Sequence, residues 1–285
     1  QVARALIEAA PSLPYVKALA AGRPALDVRD PRSIERAFGD MSPDVVINSA
    51  AYTAVDQAET DHDAAFALNR DGAALLARAA AKRNVPVIHL STHYVFDGTK
   101  KSPYDEADAP CPATVYGRSK HEGERAVAEA SPRHVIIRTG WVFSGTERGF
   151  VRRILAAGSD AAPLGVVDDQ HGNPTYAPHL ADAVLDVARQ ISGRVVDDRV
   201  WGTFHAAGEG AATWRRFAHE IAEAAASHGA ERTKIEPITS SEYPCVATRP
   251  KNSELDCTKF DDTFSLRLPP WQQGVADCVS RLLSS

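Results

Sequence analysis

Short β-branched runs alternate with alanine-rich stretches of helical period through the first half of the chain. Asp44-Val45-Val46-Ile47 leads into Asn48-Ser49-Ala50-Ala51, Val85-Pro86-Val87-Ile88-His89-Leu90 into Ser91-Thr92, and His134-Val135-Ile136-Ile137-Arg138 into Thr139-Gly140-Trp141. Apolar runs that stop at small or polar residues predict parallel strands buried on both faces. Between them the period predicts helices over 31–41, over 61–84 with Ala64, Ala67, Leu68, Leu75, Leu76 and Ala79 on one side, and over 116–130. Val2, Leu6, Ile7 and Ala10 give the start of the chain a helical period as well. Strand and helix in alternation predict an α/β fold, a doubly wound parallel sheet.

The second half is richer in turns, at Pro163-Leu164-Gly165, Gly172-Asn173-Pro174 and Gly208-Glu209-Gly210. It predicts a helix over 176–191 that returns to the sheet, and another over 214–227 with Trp214, Phe217, Ile221 and Ala225 inward. The division expected is a sheet domain of residues 1–140 and 176–200 and a smaller lobe of 141–175 and 201–285. Residues 190–199 come nearest to a linker, and no internal repeat is present.

The 285 residues are 44% hydrophobic and 24% charged, with 37 acidic against 32 basic residues and a net charge of −5. With a pI near 6.1 and no basic stripe, a nucleic-acid partner is not expected. No run reaches the roughly 18 apolar residues that cross a bilayer, so a membrane span is not expected either. Small-molecule partners fit this balance. Cys111, Cys245, Cys257 and Cys278 lie far from any CxxC spacing, which predicts free thiols and a reduced, cytoplasmic setting. Residues 1–10 carry no secretory signature and no initiating Met, so the sequence is expected to open inside a structural element.

In an open α/β sheet, ligands bind outside the carboxyl ends of the strands. Asn48 to Thr53, Ser91 to Tyr94 and Thr139 to Trp141 all follow predicted strands and so face one crevice. Tyr116-Gly117-Arg118-Ser119-Lys120 places a phenol and an ammonium on one helix face. A free phenol, with a pKa of about 10, exchanges protons poorly at neutral pH, and a nearby ammonium pulls it toward working range. Tyr116 is then a candidate proton donor to a carbonyl oxygen oriented by the Thr92 hydroxyl. Alone, such a pair also occurs as a half-buried tyrosine beside a solvated lysine. Joined to Ser91-Thr92 at a strand end, it resembles the extended short-chain dehydrogenase/reductases, with a Rossmann-type sheet.

Longer matches narrow the resemblance. The segments Pro43 to Asp56, Ser91-Thr92-His93-Tyr94-Val95-Phe96-Asp97-Gly98, Val115 to Lys120, Val167 to Thr175 and Arg249-Pro250-Lys251-Asn252-Ser253 are similar to the successive motifs of the dTDP-4-dehydrorhamnose reductase family, over about Leu26 to Trp271. The resemblance implies reduction of the C4 ketone of dTDP-4-dehydro-β-L-rhamnose by a nicotinamide cofactor, the last step toward dTDP-L-rhamnose for cell-surface polysaccharide. It implies Tyr116 as proton donor, Lys120 as its electrostatic and ribose-binding partner, and Thr92 as tuner of the tyrosine. It places Ala51, Tyr52 and Thr53 at the nicotinamide half of the cofactor, Asp27 and Val28 at the adenine, and Thr92, His93 and Trp141 at the sugar.

Three departures stand out. The family's Ser-Thr-Asp-Tyr has His93 as its third residue here, which either takes over a hydrogen bond to the sugar, lowers affinity, or is simply tolerated. The sequence opens at Gln1 and Val2, where the helix after the family's opening strand and Gly-x-x-Gly turn should begin; that segment is expected to lie ahead of Gln1, the alternative being a truncated form unable to hold the cofactor, and Gln1 and Val2 are expected to edge the pyrophosphate site. Where some members carry interfacial metal-binding glutamates, this chain has Ala5, Pro178-His179 and Gln272, so no metal is expected and a monomer is favoured over a weak dimer. Residues 16–24 offer Lys17 and Arg23 but no acid, which favours NADPH over NADH, with Arg23 as the candidate contact. No His-Glu-x-x-His, Gly-x-Ser-x-Gly or Gly-x-x-x-x-Gly-Lys motif supports a metalloprotease, serine hydrolase or phosphate-transfer enzyme. Trp201, Phe204, Trp214 and Phe217 are assigned to the core. Two alternatives stay open: a nucleotide-sugar epimerase or dehydratase, and a non-catalytic NADP-binding regulatory subunit of the same fold.

Overall fold

The computed structural model describes residues 1–14, 16–145, 149–159, 162–193 and 197–284. In chain order its main elements are α1 (Val2–Ala9), α2 (Pro31–Met41), β1 (Val46–Asn48), α3 (Val55–Ala58), α4 (His62–Phe66), α5 (Ala73–Ala81), β2 (Val87–Thr92), α6 (Val115–Ala130), β3 (His134–Thr139), β4 (Val142–Phe143) and α7 (Phe150–Ala156). There follow β5 (Leu164–Val167), β6 (His171–Gly172), β7 (Thr175–Tyr176), α8 (Ala177–Ile191), β8 (Gly202–His205), β9 (Ala212–Thr213), α9 (Trp214–Ala226), β10 (Ile235–Ile238), α10 (Thr258–Phe264) and α11 (Trp271–Leu283).

The main sheet has the order β1-β2-β3-β8, every pair parallel. Its central strands are apolar on both faces because helices cover both. On one side Leu6 of α1 and Leu180 and Val184 of α8 share a core with Ile88, Ile137 and Phe204. On the other, Ile34 and Phe38 of α2, Leu76 of α5 and Val127 of α6 pack on Val87 and Ile136. Local chemistry fixes the helix starts. Asp30 accepts from the Arg32 amide ahead of Pro31 in α2, and Thr114 accepts from the Gly117 amide at the head of α6. The second lobe is held by α7, α9 and α11 around Phe143, Ile154, Phe217, Ile221, Trp271 and Val275, beside the parallel pair β5 and β10.

Two expectations need correction. The helix expected over 61–84 is interrupted: between α4 and α5 the segment Ala67–Gly72 forms a π-helical turn. The wider turn rotates the buried face, which is Ala65, Asn69, Ala73, Leu76, Ala77 and Ala80, while Ala64, Ala67, Leu68 and Leu75 are only partly buried. The lobe boundary at 201 also shifts. Gly202–His205 is the fourth strand of the main sheet, and Phe260 and Phe264 of α10 pack in the same core as Phe204. Residues 194–196 of the expected linker lie outside the described residues, while Val200 next to them is buried in that core. The four cysteines are free, and no helix among the described residues is long and apolar enough to cross a membrane.

Candidate functional site

A cleft of about 690 Å³ lies across the carboxyl ends of the sheet strands, between sheet and lobe. Ala51 and Thr53 beyond β1, Ser91 to Tyr94 at the end of β2, and Thr139 to Trp141 at the end of β3 line one wall. The expected convergence of three strand ends is therefore present. Gln1 and Val2 at the start of α1 line the same cleft. Lobe residues including Phe150, Arg153, Gln170, Trp214, Tyr243, Arg249 and Ser253 form the opposite wall.

Tyr116 and Lys120 reach the cleft from the first turns of α6. The helix sits close because two glycines face neighbouring backbone: a Cβ at Gly117 would run into the Tyr94 carbonyl, and one at Gly123 into that of Asn69. Tyr116 is 8% exposed. Burial pushes its phenol up to about 12, with a hydrogen bond to Thr92 acting in the opposite direction. This corrects the expectation that Lys120 draws the phenol downward. The Lys120 side chain is itself buried, its Nζ donating to the Leu90 carbonyl at 2.6 Å and lying 3.4 Å from His89 Nε2. Burial brings this amine down to about 8. At neutral pH the phenol accordingly retains its proton.

The segment that carries Ala51 and Thr53 is held by a residue that sequence reasoning passed over. Asn69, buried in the π-helical turn, accepts from the Tyr52 amide at 2.8 Å and donates to the Tyr52 carbonyl at 3.1 Å and to Ser119 Oγ at 2.9 Å. One side chain thus ties the β1 exit to α6. The signal available was an asparagine inside a helical run. Tyr52 itself turns away from the cleft lining, its hydroxyl donating to Asp61.

Trp141, in a left-handed backbone conformation at φ 47°, stacks on Trp214 with ring centroids 3.8 Å apart and planes 10° from parallel. Its Nε1 donates to Ser253 Oγ at 3.1 Å, and Gly172 leaves room for the ring, since a Cβ there would stand 2.5 Å from Trp141 Cε2. Trp214, assigned to the core from sequence, is half-buried: it packs against the lobe core and also lines the cleft as half of this platform, whereas Phe204 and Phe217 are fully buried as expected. Trp201 is half-buried beneath Arg133.

His93 lines the cleft with its ring packed on Gly140, where a Cβ would collide with Nδ1. Burial lowers its pKa to about 4, so it is a neutral group at physiological pH. Thr139 is also a lining residue, and its Oγ1 is buried without a hydrogen-bond partner among the described residues.

Other expected contacts stand apart. Asp27 is paired with Arg29, Val28 is buried against Gly72, and neither lines the cleft; Lys17 and Arg23 are exposed and also lie outside it. Asn173 serves the framework, donating to the Gly210 carbonyl and accepting from the Leu255 amide. From the Arg249 segment, Arg249, Pro250 and Ser253 do reach the lining.

The family model described as RmlD substrate binding domain matches residues 1–284. A dTDP-4-dehydrorhamnose reductase of Sinorhizobium fredii is 44% identical over 284 residues, 99% of this chain and 95% of that protein. A crystal structure of a dTDP-4-dehydrorhamnose reductase from Clostridium acetobutylicum superposes with a TM-score of 0.89 at 32% identity, covering 99% of this chain and 96% of the other. The Bacillus anthracis enzyme of that name, solved in complex with NADP, gives a TM-score of 0.87 at 28% identity, covering 99% and 95%. The match along the whole sheet and lobe, together with these relatives, places the chain in the RmlD substrate-binding-domain family, as a member of the dTDP-4-dehydrorhamnose reductases.

Proposed function

We propose that this chain reduces the C4 ketone of dTDP-4-dehydro-β-L-rhamnose to dTDP-L-rhamnose with NADPH, NADH being the less favoured donor. The observation that carries the reading is a protonated, buried Tyr116 beside Thr92 at the end of β2, facing a cleft of about 690 Å³ lined by the ends of all three strands and by the lobe. The residues present fit the cofactor: Gln1 and Val2 offer the first turn of a helix to phosphates, Ala51 and Thr53 leave room for a flat ring, and Thr139 Oγ1 has bonding capacity to spare. When bound, NADPH supplies the hydride.

Tyr116 gives its proton to the carbonyl oxygen as negative charge develops there, and the Thr92 hydroxyl orients that oxygen. Lys120 would hold ribose hydroxyls and, as an ammonium once the cofactor is bound, would stabilise the phenolate left behind, an effect absent while its Nζ turns to Leu90 and His89. Trp141, backed by Trp214, presents an apolar face to the sugar ring, and His93 offers it a neutral ring nitrogen where the family's acid would offer a carboxylate. Asp27, Val28 and Tyr52 remain candidates for the cofactor's edges. Tyr116→Phe tests the assignment. Turnover should fall by about 10²- to 10⁴-fold, the usual worth of a positioned proton donor, while NADPH binding persists. Unchanged turnover would remove Tyr116 from the mechanism.

A further inference from the structure

Behind Lys120 lies a buried chain of polar groups that the reaction as described does not use. Asn48, at the end of β1, accepts from the Ala50 amide through Oδ1 at 3.1 Å, which fixes the orientation of its amide. Its Nδ2 then faces His89 Nδ1 at 3.1 Å. An amide nitrogen can only donate, so Nδ1 of His89 is the acceptor and the proton of the neutral ring sits on Nε2. That Nε2–H points at Lys120 Nζ, 3.4 Å away. An imidazolium is disfavoured, since it would set N–H against N–H at Asn48. His89 is fully buried, and burial together with Lys120 holds its pKa well below the usual histidine value.

An N–H directed at Nζ is a good partner for an amine, which has a lone pair, and a poor one for an ammonium, which has none. The other groups around the pair do not reverse this. Glu124, on the same helix as Lys120, acts on both residues but is committed to Arg138 of β3 at 2.9 and 2.7 Å and to Ser91 of β2 at 2.5 Å. His134 of β3 acts on His89 in the same direction as Lys120, and Tyr116 of α6 is a neutral phenol.

We propose that His89 is a positioning residue for Lys120: locked by Asn48 into its Nε2–H form, it opposes the ammonium and poises Lys120 to take up a proton when an anionic dinucleotide enters the cleft. The incoming phosphates supply the negative charge that the site lacks, and the proton comes from solvent. Sequence carries only a trace of this, because Asn48, His89 and Lys120 lie on three separate elements. The inference rests on reading the cleft as a nicotinamide site, but its first test does not.

In the protein without cofactor, ¹⁵N NMR of the histidine rings should find His89 protonated on Nε2 with Nδ1 bare. A ¹³C titration of the lysine side chains, with Lys120 assigned through Lys120→Arg, should find it titrating at about 8, apart from the other lysines. A proton on Nδ1, or Lys120 titrating with the rest, overturns the proposal even if the protein reduces the sugar. Asn48→Asp should move the His89 proton to Nδ1, turn a lone pair toward Nζ and raise the Lys120 titration. A rise with the proton still on Nε2 is the effect of the added charge alone and counts against it. Calorimetry of NADPH binding near pH 8, in buffers of different ionisation heat, should show proton uptake that Asn48→Asp diminishes. Binding without uptake contradicts the coupling, whereas absence of NADPH binding contradicts the proposed cofactor and leaves the NMR result to decide the His89 assignment.

Discussion

Arg249 donates to Asp56 across 2.6 Å, and the same carboxylate accepts from the Val246 and Ala247 amides at 3.1 and 2.9 Å. Asp56 sits at the end of the segment that brings Ala51 and Thr53 to the cleft, while Arg249 and Pro250 line the opposite wall. One carboxylate therefore clasps the lobe strap to the sheet. Burial alone would raise its pKa, but the Ala247 amide and Arg249 outweigh that and leave it lowered. Asp56→Asn keeps the shape and loses the charge. With Asp56 partly exposed, such a pair contributes about 0.2–1 kcal/mol, so KM for the sugar nucleotide should rise up to about fivefold by that energy, with the Kd for NADPH less affected. Steady-state kinetics against both ligands checks this split, and an unchanged KM contradicts the clasp.

Asn69 spends all three of its side-chain bonds on Tyr52 and Ser119. Asn69→Ala leaves the Tyr52 backbone groups unmet in a partly buried setting, which costs about 1–3 kcal/mol. Denaturant unfolding should show that loss, and NADPH should bind more weakly as the Ala51–Thr53 segment loosens. Full stability with normal binding would show the π-helical turn to be incidental.

Glu124 makes the acid limb of stability predictable. Burial raises its pKa, but hydrogen bonds from Arg138, His121 and Ser91 outweigh burial and bring it down to about 2. A carboxylate held below its unfolded value contributes stability in full above about pH 4.5, and that contribution is lost as pH falls from there toward 2. Glu124→Gln leaves Arg138 buried without a counter-charge, costing about 3–5 kcal/mol. The variant's stability should also fall less steeply between pH 4.5 and 2 than that of the natural protein. Parallel slopes in urea unfolding over that range would contradict the assignment.

The Trp141–Trp214 stack predicts a substrate-side effect that the core assignment does not. Trp214→Leu keeps an apolar side chain but removes the ring under Trp141. Aromatic pairs contribute about 0.5–1.5 kcal/mol beyond burial, so affinity for the nucleotide sugar should weaken by up to about tenfold while NADPH affinity holds. Equal losses for both ligands would mean a general collapse of the lobe.

What the sequence made legible was local. Val46–Asn48, Val87–Thr92 and His134–Thr139 announce themselves as buried strands by composition, and the strand-end rule then gathers Thr92, Tyr116 and Trp141 around one cleft. The pieces that escaped depend on geometry across distance. A single wide turn at Ala67–Gly72 rotates a helix face that periodicity treats as regular, and so hides Asn69. Gly202-Thr203-Phe204-His205 has no apolar β-branched run to signal its place beside β3. The Asp56–Arg249 clasp and the Trp141–Trp214 stack join segments far apart in the chain, and each residue alone reads as an ordinary loop or core position. The direction of the Tyr116 shift was missed for a related reason: the tyrosine and lysine share a face, but Lys120 turns to Leu90 and His89, so burial dominates the phenol.

The most direct test of the central claim is NADPH oxidation by the full-length protein, followed at 340 nm on adding dTDP-4-dehydro-β-L-rhamnose generated in place, with product analysis. The account predicts one NADPH consumed per dTDP-L-rhamnose formed, and loss of that turnover in Tyr116→Phe. NADPH that binds but is not oxidised by this sugar, or oxidation that Tyr116→Phe leaves intact, would contradict it.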